Sequence, residues 1–252
     1  MRRVKYKGKE ISTIEDLKKN ISNWQEDKSA ATLGEFVFHG GLKRLEGIIN
    51  DIFTVIQPGT TIHRFDYIDF EHETKFDKYG NGRIHDLALK GITNCSDKVF
   101  VGIEAKVNEP FDSRDIQSAY LSGLLRRANG EKSNLPDRIE SLIRRNNFKK
   151  QNNTPKRFTK ENLNLKYQLL FSTIGTISED ADIYIFLVLV FHTKIYDDIK
   201  GVQNYHDFIE FMNAITSRNI SRDKNLYEIE VYADDELKNK KEMYAAYVSI
   251  DA

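Results

Sequence analysis

Apolar and polar positions along the chain switch between a period near 3.6 and a period of 2, and the switch points divide it into elements. Residues 1–12 read as a short extended lead-in, and Ser12 with Glu15 has capping-box spacing for a helix running through Asn20. Ser29 to His39 reads as a second helix, ended by Gly40 and Gly41. Leu42 to Phe53 has apolar residues at 42, 45, 48, 49, 52 and 53, again a helical period. Beyond a turn at Pro58-Gly59, Thr60 to Phe70 alternates and is rich in Ile, Phe and Tyr, which predicts a first strand. A hairpin-like turn, Lys78 to Gly82, leads into a second strand near Ile84 to Leu89. Val99 to Val107 is a third, with Val99, Val101, Ile103, Ala105 and Val107 on one face and Phe100, Gly102, Glu104 and Lys106 on the other. Both faces begin apolar, as in a central strand covered on both sides.

Pro110 breaks that pattern. Helices follow at Ser113 to Arg127, Pro136 to Asn146 and Leu163 to Ile177; then comes a second central strand, Asp182 to Thr193, and a helix at Asn204 to Thr216. Leu226 to Ala233 and Met243 to Ile250 read as late strands flanking the charged turn DDELKNKK. This order predicts an α/β (α+β) sandwich, a mixed central sheet flanked by helices. The expected organisation is a single domain over 1–252, with an N-terminal helical lead-in at about 12–57 and a basic helical segment at about 126–160. No internal repeat or low-complexity tract interrupts it.

Composition narrows the function classes. The 252 residues are 40% hydrophobic and 30% charged, as in a soluble globular chain with a substantial core. Lys plus Arg is 38 and Asp plus Glu is 38, so any basic footprint must be local. The basic residues concentrate between 126 and 160, with eleven Lys or Arg against three acids, including Arg126, Arg127, Arg144, Arg145, Lys149 and Lys150. Such a cluster is either a charged helix face or a contact for a phosphate backbone. The longest apolar run, Ile183 to Phe191, is nine residues, far short of a membrane span. The N-terminus MRRVKYKGKE lacks the apolar core of a signal peptide. A lone cysteine, Cys95, excludes an intrachain disulfide and fits a reducing cytoplasm. Neither a phosphate-cradling glycine loop nor zinc-finger spacing is present.

The candidate chemistry lies on the second and third strands. Glu104 and Lys106 project from one face of a strand whose surroundings are apolar, and they are costly there unless something compensates them. A divalent metal and a phosphate would do so. If the two strands pair antiparallel, Asp86 approaches both, with Leu87 and Leu89 on the other face. His85 faces away from Asp86, as a core or helix-contacting histidine. An ion pair on an exposed sheet edge is the alternative reading, and the apolar surroundings argue against an edge.

Asp86, then Glu104-Ala105-Lys106 on the next strand, resembles the PD-(D/E)XK nuclease superfamily, whose fold is restriction-endonuclease-like. Beyond the motif, HDLAL, VGIEAKVNEPFD, DRIESLI, LKYQLLFSTIGT and IYIFLVLVFH, over roughly residues 28–195, are similar to a bacterial subgroup of such proteins. The resemblance implies that Asp86 and Glu104, with the Ala105 carbonyl, hold Mg²⁺ (Mn²⁺ substituting), and that Lys106 activates the attacking water. The family's early helix supplies a further acid. Glu35 and Glu46 are candidates, and Glu35, in SAATLGEFVF, sits at the better place. Gln117, one turn before Tyr120 on the helix after the Glu104 strand, resembles a fourth motif that contacts phosphate or water. The resemblance further implies a phosphodiester substrate, DNA first, and a role in bacterial restriction, phage defence or repair. It allows a homodimer or a partner subunit, and no membrane. The alternative is a nuclease-fold module without activity that binds nucleic acid or a protein.

Overall fold

The computed structural model describes residues 3–21, 24–26, 28–148 and 159–251. The chain opens with a hairpin, β1 (Val4–Tyr6) and β2 (Lys9–Ile11), followed by α1 (Ile14–Asn20). The capping box of α1 is Thr13 with Asp16, one residue beyond the expected pair. Then come α2 (Ser29–Phe36) and α3 (Leu42–Ile56). Between them the chain makes a π-type turn in which Gly40 takes φ +97°, a left-handed conformation open to glycine at no steric cost. The glycines therefore redirect one helical run into the next rather than into a loop.

Three antiparallel strands follow: β3 (Ile62–Thr74), β4 (Arg83–Thr93) and β5 (Lys98–Lys106). The path to the next strand runs through α4 (Ile116–Ala128), α5 (Leu135–Arg145), α6 (Lys160–Leu163) and α7 (Tyr167–Ile177). The helix expected over 163–177 is thus broken: Leu165 turns inward, and the main chain bridges back through Ile116 N–H to Leu165 O and Tyr167 N–H to Arg114 O. β6 (Ile183–His192), α8 (Asp198–Ile215), β7 (Thr216–Ser221), β8 (Leu226–Tyr232) and β9 (Lys240–Asp251) complete the fold. β7 is the strand that periodicity missed. It is an edge strand of sequence TSRNIS with little apolar alternation to betray it.

All nine described strands form one mixed sheet in the order β2-β1-β3-β4-β5-β6-β9-β8-β7. β5, β6 and β9 run parallel, and β1 runs parallel to β3; the other neighbours are antiparallel. Leu17, Leu33, Leu45, Ile49 and Phe53 of α1–α3 cover one face, against Leu87, Leu89, Val101 and Ile103. Helices α4, α5, α7 and α8 cover the other, against Phe100, Phe186, Val188 and Val190. The architecture is the expected α+β arrangement of a mixed central sheet flanked by helices. β6 is buried on both faces, which explains its unbroken apolar run.

Candidate active site

The cluster forms where β4 parts from β5. Their ladder is last paired at Leu87 and Ile103. Beyond it, Ala105 donates its backbone N–H to Oδ2 of Asp86 at 2.8 Å, so a side chain takes the place of the strand partner. The alternation also slips here. Leu87 packs on the α1–α3 face, whereas His85, two residues away, lies against Gly102 and α7 on the other. On β3 the matching irregularity is Glu71, at φ +48°, between the pairs Phe70–Leu87 and His72–His85. This corrects the simple strand parity: His85 is a buried, helix-contacting histidine, as expected, but the slip turns it and Arg83 onto the face of α7.

Two glycines make that possible. A Cβ on Gly102 would lie 2.7 Å from the His85 ring, and one on Gly175 of α7 would lie 2.5 Å from Cβ of Arg83. With hydrogen at both positions, Arg83 and His85 fit between sheet and helix.

Glu104 is the centre of the network. Lys106 Nζ donates to its Oε1 at 2.7 Å, and Gln168 Nε2 of α7 donates to the same oxygen at 2.6 Å. Arg83 donates to Oε2. Glu104, Lys106 and Arg83 are 2%, 5% and 5% exposed, while Asp86 keeps partial contact with solvent. Burial opposes ionisation of Glu104, but the charges of Lys106 and Arg83 outweigh it and hold the carboxyl below its ordinary range. Asp86 moves the other way. Burial raises its pKa, the negative charge of Glu104 raises it further, and Lys106 and Arg83 offset this only in part. The two carboxyls therefore sense one another, and a cation between them would relieve both burial and repulsion.

Other expected residues lie elsewhere. Gln117 is exposed on the first turn of α4; the glutamine that meets the site is Gln168 of α7, which donates to the Glu104 carboxylate. The crossover brings α7, not α4, over the β5 carboxylate. Glu35 sits on the outer side of α2, paired with Lys18 at 3.2 Å and His39 at 3.1 Å. In the basic segment, Arg126 pairs with Glu131 at 2.9 Å and Arg127 with Asp137 at 2.6 Å, both near the surface. Arg144 is half-buried in the last turn of α5. Arg145 is the one corrected: it is 1% exposed and donates to the carbonyls of Phe76, Tyr232 and Ala233, so it does not face a phosphate backbone. Lys149 and Lys150 lie outside the described residues.

The donors available fit a small hard cation. Among the described residues no three His, Cys, Asp or Glu side chains converge on one point, so a cation here would draw on Asp86, Glu104 and water. Two carboxylates completed by water and substrate phosphate are an ordinary Mg²⁺ set. Beside them Gln168 Oε1 is buried with no partner among the described residues, an acceptor for a bound water. The competing occupant of Glu104 is Arg83. No described helix is long and apolar enough to cross a membrane.

A family model described as a domain of unknown function (DUF6946) matches residues 9–252. No curated protein and no solved structure matches the chain.

Proposed function

Because the chain belongs to the DUF6946 family, whose description assigns no activity, we propose one from the site itself: metal-dependent hydrolysis of phosphodiester bonds, with DNA as the first substrate to test. The observation that carries the reading is the pair Asp86 and Glu104, brought together on adjacent strands where Asp86 accepts the Ala105 N–H beside Glu104, with Lys106 on Glu104. Asp86 and Glu104 would hold Mg²⁺ or Mn²⁺, which supplies a water of lowered pKa and screens charge on phosphorus. Lys106 orients the attacking water and offsets negative charge as it builds in the transition state. Gln168 fixes the carboxylate of Glu104 and offers its own buried oxygen as an acceptor for a water held inside the site. Partial exposure of Asp86 makes its side the route for substrate. A cytoplasmic defence or repair role, acting alone, as a homodimer or with a partner subunit, is the setting this reading favours.

A second reading is supported by a specific observation. Both oxygens of Glu104 are already engaged by Arg83, Lys106 and Gln168, as in a structural network within a silent binding module. Incubation with plasmid, linear duplex, single-stranded DNA and RNA, in Mg²⁺ or EDTA, separates the two. Cleavage that requires metal, Glu104 and Lys106 is the expected result. Binding without cleavage in any metal, with Glu104→Gln and Lys106→Ala indistinguishable from the wild type, would sink the catalytic reading.

A further inference from the structure

Asp86, Glu104, Arg83 and Lys106 form a cluster of two acids and two bases, all but Asp86 buried. With all four ionised, as a bound cation requires of the acids, their formal charges sum to zero. A divalent cation would add two positive charges to a place that already balances, where an uncompensated charge is expensive. Either a base must withdraw or an anion must enter.

The two bases are not equally held. Lys106 shares Glu104 Oε1 with Gln168, and its Nζ lies 5.1 Å from the ring of buried Phe111. Among the described residues Arg83 is alone on Oε2, and its buried Nε has no partner. Its guanidinium lies 5.2 Å from the ring of Phe171, a face on which a planar cation can slide without losing contact. A guanidinium is also the side chain whose forked donors best match a phosphate.

We infer that Arg83 is the resident counterion of Glu104, that metal and guanidinium are alternative occupants of Glu104 Oε2, and that a phosphodiester promotes the exchange by taking the guanidinium. This rests on the metal-dependent reading above and specifies how that site loads. Arg83 is thus a positioning residue for Glu104 before loading and a phosphate ligand after it. Metal and phosphodiester affinities are then coupled, and by linkage each tightens the other equally.

Mn²⁺ titrations by calorimetry or electron paramagnetic resonance test this without any turnover. The proteins are the wild type, Arg83→Gln and Glu104→Gln, and the wild type is also titrated with a saturating thymidine dinucleotide carrying a single phosphodiester. Removing the resident charge should tighten Mn²⁺ by about ten-fold or more. The dinucleotide should tighten wild-type Mn²⁺ in the same direction. A purely structural Arg83 would loosen the site when replaced, so weaker or unchanged Mn²⁺ binding by folded Arg83→Gln overturns the inference while leaving metal-dependent hydrolysis standing. If Arg83→Gln does not fold, the dinucleotide arm decides alone, and no effect on wild-type Mn²⁺ affinity overturns the inference. Mn²⁺ binding that is absent throughout, or present and unchanged in Glu104→Gln, overturns the metal site itself.

Discussion

Asp86 accepts the backbone N–H of Ala105, so the residue expected to hold a cation also closes the gap where two strands of the sheet part. One carboxylate oxygen does structural work and the other is left to the site. The slip of alternation at Asp86 is what separates the two roles: it sends Leu87 to one core and Arg83 and His85 to the other.

Asp86→Asn keeps an oxygen that can accept from Ala105 but removes the charge. Its melting temperature should stay near that of the wild type while Mn²⁺ binding and cleavage are lost. Asp86→Ala also strands a backbone donor, which costs about 1–3 kcal/mol. Thermal melts of both variants, read beside metal titrations, check the division. Equal destabilisation by the two substitutions would refute it.

Gln168→Ala and Gln117→Ala should behave differently, although both are glutamines on helices after β5. Gln168 donates to Glu104 at 2.6 Å, and its loss should lower the cleavage rate by about ten-fold or more. Gln117 is exposed, and its replacement should leave rate and metal affinity unchanged. Single-turnover cleavage of one substrate by the three proteins is the measurement.

The difference between these two glutamines also marks where the sequence stops being legible. Glu104 and Lys106 were readable because a strand with apolar residues on both sides makes a carboxylate and an ammonium conspicuous. Asp86 was readable as a neighbour, but its slip was not: alternation along one strand carries no information about where the next strand departs. Gln168 sits in LKYQLLFSTIGT, an ordinary apolar helix, and only the long crossover decides that this helix, rather than α4, lies over β5. Arg145 shows the same limit from the other side. It follows Arg144 in a basic run, yet the turn of α5 points it into three carbonyls. Charge counting along a chain cannot separate a buried arginine from a solvated one.

Arg145→Met should therefore destabilise severely, by about 3 kcal/mol or more, because it removes a buried cation and leaves three carbonyls unpaired. Arg126→Ala, which breaks a pair whose side chains are each more than half exposed, should change stability by no more than about 0.5 kcal/mol. Denaturant unfolding of the two variants is the check. Nucleic-acid binding of folded protein should respond, if to either, to Arg126.

Gly102→Ala should cost about 1–3 kcal/mol, since the new methyl would meet the His85 ring at 2.7 Å on a central strand. Adding His85→Ala should restore part of the loss by opening that space. A thermodynamic cycle on the four proteins measures the coupling, and strict additivity would show that the ring is not what the methyl meets.

A second network, away from the carboxylate pair, adds its own pH dependence to stability. His72 donates from one ring nitrogen toward Asp69 at 3.1 Å and from the other toward Glu179 at 2.9 Å, and Lys90 Nζ also meets Glu179 at 2.7 Å. Tyr67 and Thr74 donate to Asp69 and Glu179. Burial disfavours the charged form of each group, but for Glu179 the hydrogen bonds from His72, Lys90 and Thr74 win and bring its pKa down to about 2 from 4.5. For His72 burial lowers the pKa, and the bonds to Asp69 and Glu179 more than reverse it, so the value rises above 6.5. The depressed Glu179 stabilises the fold at pH above its unfolded value of 4.5 and loses that contribution as pH falls toward about 2. The raised His72 contributes fully below 6.5 and loses its contribution as pH climbs through the folded value. Stability from this network should hold level between about 4.5 and 6.5 and decline on both sides, on the acid side by on the order of 2–3 kcal/mol. Melting temperature against pH for the wild type and His72→Gln tests it: the variant should melt lower at pH 6 and should lack the decline above neutrality. An unaltered alkaline slope in His72→Gln would place the titrating group elsewhere.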